Sequence, residues 1–270
     1  MSRIAEKFEQ IKAENKKGFI PFITAGDPDL DATYELILKL AELDSTVIEL
    51  GVPFSDPMAD GPIIQLSAQR ALENDEITID KVFEVVKKVR KKTDVPIVLF
   101  GYLNPFYQYG IENLKKSAKD TGVDGFLITD VIGNEFSEMA KSFAESDLDL
   151  ISLAAPTTNN ERLEKIVNSA RGFIYAISRA GVTGTREELS NSAQELVERI
   201  RNFTNLPVAV GFGVSTNEHV SEVLKYADAA VVGSAIVSVI EKSERKELVK
   251  NVEKFVVNLL GTKNENKLAG

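Results

Sequence analysis

Glu49 sits in Val47-Ile48-Glu49-Leu50, an otherwise apolar run, where an ionised carboxylate is costly unless it is paired or put to use. Two readings stand at this point. It is an ion-pair partner inside the fold, or it is a carboxyl whose pKa burial raises so that it can release a proton and later take one back. Asp60 lies near the end of Gly51-Val52-Pro53-Phe54-Ser55-Asp56-Pro57-Met58-Ala59-Asp60-Gly61-Pro62, a segment shaped by its prolines and glycines. On spacing alone it reads first as the N-cap of a helix starting near Pro62. Asp56-Pro57 reads as turn chemistry.

The glycines near the end of the chain suggest a different chemistry. Gly211-Phe212-Gly213-Val214-Ser215 and Gly233-Ser234-Ala235 each follow a short apolar run. Bare backbone N–H groups in such turns, at a helix start, can approach phosphate oxygens; the same glycines could simply permit tight turns. Ser178 to Arg186 contains Gly181 and Gly184 and little apolar content, as a closing lid or a solvated loop would. Phe22, Phe100, Leu127, Ile128, Tyr175 and Phe212 lie on or beside strand ends and could line a slot for a flat ring; taken singly they read as core. The chain has no cysteine and one histidine, His219, which falls in a helical segment and is given no catalytic role. Cysteine nucleophiles and Cys-ligated zinc are excluded, Ser/His triads and His-rich metal sites are disfavoured, and no metal site is expected. Acid-base work falls to carboxylates, Lys or Tyr.

Elements able to position these groups are legible along the chain. Eight short apolar runs, at Phe19–Thr24, Thr46–Leu50, Ile97–Phe100, Gly125–Thr129, Leu148–Leu153, Phe173–Ile177, Val208–Val210 and Ala229–Val232, alternate with segments of helical period such as Leu30–Leu43, Ile79–Lys91, Glu161–Ala170 and Ala193–Phe203. Continuous rather than alternating apolar strands are those of a parallel sheet covered on both faces. Eight such units predict an α/β fold, a (β/α)8 TIM barrel of one domain over residues 1–262, with extra short helices and a frayed tail at 263–270. Ala25-Gly26-Asp27-Pro28 after the first run lacks the Gly-x-Gly-x-x-Gly turn of a doubly wound nucleotide fold. Two long connections, Gly51 to Gly61 and Ser178 to Asn191, are expected on the catalytic face.

Of the 270 residues, 32 are Lys or Arg and 41 Asp or Glu, for a net charge of −9, which disfavours nucleic acid. No apolar run approaches the roughly 18 residues of a membrane span, and the chain is expected to be cytoplasmic, with no membrane partner.

Together, Pro21 to Pro28, the segment from Ile48 to Pro62, Tyr175 to Gly184 and the two glycine turns resemble the tryptophan synthase α family, in order and with matching spacing. The resemblance implies a carbon–carbon lyase: retro-aldol cleavage of indole-3-glycerol phosphate to indole and glyceraldehyde 3-phosphate, without a cofactor in this chain. It implies that Glu49 is the general acid/base and that Asp60 holds the indole N–H, which replaces the N-cap reading. It further implies phosphate contacts from Gly184, Gly213, Gly233 and Ser234, an indole slot of Phe22, Phe100, Leu127, Tyr175 and Phe212, and Thr183 on the lid. The implied partner is a pyridoxal-phosphate β subunit in an αββα heterotetramer, which receives the indole. It would dock near Pro53, Phe54, Ser55, Asp56 and Pro57 and at Asn104 in Tyr102-Leu103-Asn104-Pro105. After Asp130 the family often carries prolines, where this chain has Val131-Ile132-Gly133-Asn134.

Overall fold

The computed structural model describes residues 1–73, 77–177, 186–211 and 213–261, the side chains of 186–190 excepted. Within them the apolar runs form strands β1 (Gly18–Thr24), β2 (Ile48–Gly51), β3 (Ile97–Gly101), β4 (Gly125–Ile128), β5 (Asp149–Leu150), β6 (Ser152–Ala154), β7 (Ile174–Ile177), β8 (Val208–Gly211) and β9 (Ala229–Val232). All the pairings are parallel. The sheet order is β5-β4-β3-β2-β1-β9-β8-β7-β6.

Its two ends, β5 and β6, are consecutive in the chain and separated only by Ile151, so chain continuity closes the ring. The single run expected at Leu148–Leu153 is thus one barrel stave in two pieces. Ile151 still donates to Phe126 O at 2.8 Å, while pairing beyond it passes from β4 to β7.

The helices are α1 (Arg3–Ala13), α2 (Leu30–Glu42), α3 (Pro62–Leu72), α4 (Ile79–Val89), α5 (Leu103–Tyr109), α6 (Ile111–Thr121), α7 (Gly133–Ala144), α8 (Asn160–Ser169), α9 (Arg186–Arg201), α10 (Asn217–Val223), α11 (Ser234–Glu241) and α12 (Leu248–Leu260). Helix α9 starts well before the Ala193 expected from apolar period, so the second long connection is shorter than Ser178 to Asn191. Arg186 to Asn191 offers only Leu189 to an apolar pattern, yet Glu187 and Glu188 are residue types suited to a helix N-terminus. The tail at 263–270 lies outside the described residues.

Alternation along each strand divides the core in two. Phe19, Ile23, Leu50 and Ile128 face the helices, whereas Ile20, Phe22, Val98, Phe100, Leu127 and Tyr175 fill the barrel. Ile128 is therefore not part of a slot within the barrel. Helix α1 inserts Ile4, Phe8 and Ile11 into the inner cluster, with the Phe8 and Phe173 rings 5.7 Å apart. This plugs the end where the strands begin and leaves the other end for chemistry.

One buried ionic cluster fixes the first of the catalytic-face helices. Asp27, just past β1, accepts hydrogen bonds from Ser67 at 2.6 Å and from Arg70 at 2.9 and 2.7 Å. Arg70 also pairs with Glu241 of α11 at 3.1 Å. Helix α3, which follows Asp60, is thus tied to the β1 loop and to the helix that follows Gly233.

Candidate active site

Parallel pairing places Glu49 of β2 between Phe22 of β1 and Val98 of β3. Both neighbours face the barrel interior, so Glu49 does too. It is 1 % exposed, and its Oε1 has no hydrogen-bond partner. Burial without compensation pushes its pKa up to about 8. Among the described residues no salt bridge reaches it, so the ion-pair reading finds no support there.

Asp60 is not a helix cap. Gly61 occupies the N-cap of α3 and Pro62 follows it as the first helical residue. Asp60 instead turns its side chain across the face of the barrel to Tyr102, whose hydroxyl donates to Asp60 Oδ2 at 2.8 Å. The same hydroxyl accepts the Ala59 amide at 3.0 Å. Burial raises the Asp60 pKa to about 6, and the Tyr102 hydrogen bond opposes that rise. Tyr102 is buried and stacked against Phe54, ring centroids 5.4 Å apart. Its own pKa is driven upward by desolvation and by the Asp60 charge, so it remains a donor.

Both carboxyls open onto one cavity of about 230 Å³ at the carboxyl ends of the strands. Phe22, Phe100, Tyr175, Gly213, Gly233 and Ser234 share it. The Phe22 and Phe100 rings meet edge to face at 5.2 Å, making one apolar wall. Tyr175 is buried, with its pKa raised by desolvation and by the charges of Glu49 and Asp60. Gly213 has a φ of 82°, a conformation suited to glycine. Gly233 caps α11, with Ser234 as the first helical residue, so this end of the cavity carries unspent helix N–H groups and the positive end of a dipole.

Leu127 packs in the same inner cluster but does not line the cavity. Thr183, Gly184 and Phe212 lie outside the described residues. His219 accepts from the Ser215 amide through Nδ1 at 3.4 Å, within its own turn. Among the described residues no group of three or more His, Cys, Asp or Glu side chains could hold a metal ion, and no helix is long and apolar enough to cross a membrane.

Sequence reasoning missed Ile63, Ile64 and Val231, which complete the cavity's apolar lining. It also missed Tyr102 as the partner of Asp60. The Val231 position was open to inference from strand alternation, because it lies two residues before Gly233 on a strand end. The Tyr102 contact joins the loops after β2 and β3 and has no local signal.

The model of the family described as tryptophan synthase alpha chain matches residues 8–266. The tryptophan synthase alpha chain of Geobacter sulfurreducens is 46% identical over 256 residues, 95% of this chain and 97% of that one. That of a Thermoanaerobacter species is 42% identical over 260 residues, 96% and 98% of the two chains. Among solved structures, tryptophan synthase subunit alpha from Legionella pneumophila matches with a TM-score of 0.87 at 34% identity, covering 96% of this chain and 97% of that one. A chain from the tryptophan synthase α2β2 complex of Pyrococcus furiosus matches with a TM-score of 0.84 at 42% identity, covering 90% and 98%.

Proposed function

The chain belongs to the tryptophan synthase alpha chain family, and from that premise we propose that it cleaves indole-3-glycerol phosphate, the family's activity, with Glu49 and Asp60 as its two working carboxyls. The observation that carries this assignment is electrostatic. Two carboxyls share one cavity, and their surroundings separate their pKa values to about 8 and about 6. At neutral pH Glu49 is the acid and Asp60 the anion, the division of labour that a proton donor and a cation stabiliser need.

The steps close on these groups. Asp60 accepts the indole N–H and stabilises the cation that forms when the Glu49 carboxyl protonates indole C3. The Glu49 carboxylate then takes the proton from the glycerol hydroxyl next to the ring. That oxygen's electron pair becomes the aldehyde carbonyl as the carbon–carbon bond breaks, and the bonding pair returns to the ring. Indole and glyceraldehyde 3-phosphate leave, and Glu49 is again protonated. Phe22, Phe100 and Tyr175 hold the indole ring. Gly213, Gly233 and Ser234, with Gly184, hold the phosphate at the start of α11, and Thr183 closes toward Asp60. No cofactor is assigned to this chain.

The partner is assigned as a pyridoxal-phosphate β subunit in an αββα assembly in the cytoplasm, taking indole directly. Exposed apolar side chains on consecutive catalytic-face connections support this docking face: Met58 is 90% exposed after β2, Tyr107 67% after β3 and Ile132 60% after β4. Met58 follows Pro53 to Pro57 in the connection after β2, and exposed Asn104 shares α5 with Tyr107; exposed apolar groups rimmed by polar residues mark partner sites. The test is indole release from indole-3-glycerol phosphate by the purified chain with and without a β subunit. Slow release accelerated by β is expected; no release in either condition would overturn the assignment, and fast β-independent release would remove the partner from it.

A further inference from the structure

Three buried side-chain polar atoms have no hydrogen-bond partner among the described residues: Thr24 Oγ1, Glu49 Oε1 and Ser152 Oγ. Glu49 lines the active-site cavity, and Thr24 lines a small recess that shares Asp60 with it. Ser152 belongs to neither. It is 1% exposed and lies on the outward face of β6, because its neighbour Leu153 packs into the barrel interior.

Ser152 lines a separate cavity of about 390 Å³ between the barrel and helices α7 and α8. This cavity shares no lining residue with the active-site cavity. Ile128, Phe136 and Ile166 supply apolar wall. Ser137 and Ser169 join the two helices across it by a hydrogen bond of 2.9 Å, so the cleft is held to a set width. Its charged lining is Arg162 and Lys165, with no acidic side chain, in a chain whose net charge is −9. Lys165 is paired with Glu161 at 2.9 Å. Among the described residues Arg162 bonds only through its backbone amide, toward Asn159, which leaves its guanidinium available there for an anion.

We propose that this cleft is a second ligand site, built for a small carboxylate with an apolar body and a hydroxyl or carbonyl at its far end. The carboxylate meets Arg162 at the rim, the body lies against Ile128, Phe136 and Ile166, and the far polar atom pairs with the Ser152 hydroxyl. A buried hydroxyl left unpaired is destabilising, so Ser152 stands where a hydrogen-bonding ligand regains the most.

The probe is 4-hydroxybenzoate, titrated into isotope-labelled full-length chain and followed by amide NMR, with benzoate and phenol as single-group deletions. Saturable shifts confined to α7, α8 and β6 are expected, with benzoate and phenol each at least fivefold weaker. Ser152→Ala should abolish the preference over benzoate, and Arg162→Gln the preference over phenol, both with unchanged indole release. Arg162 is exposed, so its variant keeps the test decisive if Ser152→Ala misfolds. Shifts confined to the active-site cavity, no saturable shift, or preferences that survive both substitutions would overturn the proposal.

Discussion

The Tyr102 hydroxyl donates to Asp60 Oδ2 at 2.8 Å while accepting the Ala59 amide at 3.0 Å, so one phenol holds both the catalytic-face loop and the carboxylate it carries. A neutral carboxyl would accept this bond less well than an anion does, so the contact favours ionised Asp60 against its burial. Tyr102→Phe removes the donor without changing the ring stack on Phe54. The expected result is a kcat/KM at pH 7 reduced about tenfold, as loss of a hydrogen bond to a charged group implies. The acid limb of the pH profile should move upward; an unmoved limb would show that Tyr102 only supports the loop.

The pH profile itself follows from the two carboxyls. In the free enzyme Asp60 must be ionised and Glu49 protonated. Release of indole, as kcat/KM, should rise with pH through about 6 and fall through about 8. Asp60→Asn should remove the acid limb along with most of the activity. A profile flat from pH 5 to 9 would contradict the assignment of roles.

Glu49→Gln should lower indole release by at least about a hundredfold, the lower end of a general acid–base contribution, and leave β binding intact. It should also change stability in a pH-dependent way. With its folded pKa raised to about 8 from the usual 4.5, native Glu49 keeps a proton that the unfolded chain has released across that interval. Stability is therefore lost as pH rises through the interval, by up to about 5 kcal/mol from this group. The glutamine variant lacks that loss. Urea denaturation at pH 5 and pH 9 measures it: the variant should gain relative to the parent at pH 9 and much less at pH 5.

Gly211 is held to glycine by Tyr175 on the adjacent strand β7. A Cβ there would come within 2.0 Å of the Tyr175 hydroxyl and 2.6 Å of its ring. Gly211→Ala must push Tyr175 into the cavity, with a stability cost of about 1–3 kcal/mol for overpacking. KM for indole-3-glycerol phosphate should rise more than kcat falls, and steady-state kinetics with thermal melts will read both.

Tyr107 is 67% exposed on α5 and touches neither carboxyl. As an aromatic on the proposed docking face it is suited to anchor a partner. Tyr107→Ser should weaken association with a β subunit at least fivefold by calorimetry and reduce β-dependent acceleration at limiting β concentration. Basal indole release should not change.

Much of the site could be read along the chain because the signals are local. A carboxylate inside an apolar strand must be costly, whatever surrounds it, and Glu49 proved to be that: buried, with its pKa raised by desolvation. Glycine turns after strand ends placed Gly213, Gly233 and Ser234 at one cavity for a similarly local reason. Spacing misled for Asp60, because Gly61 can start α3 without a side-chain cap, and the aspartate was free to face Tyr102. It misled at Leu148–Leu153 as well, since hydrophobicity does not show where a ladder changes partner.

By itself, then, the sequence determined the repeating parallel architecture, the strand that carries Glu49, the loop that carries Asp60 and the chemical types available to the site. These follow from short-range costs: burying charge, covering both faces of a strand, turning tightly. Only the tertiary structure decided which distant groups meet. Closure of the ring set Leu127 inside and Ile128 outside, brought the β2 and β3 loops together as Asp60 and Tyr102, left Glu49 Oε1 without a hydrogen-bond partner among the described residues, and opened a second cleft over Ser152. Each depends on contacts between elements far apart in the chain, where strand register and packing choose the neighbour and local propensity has no say.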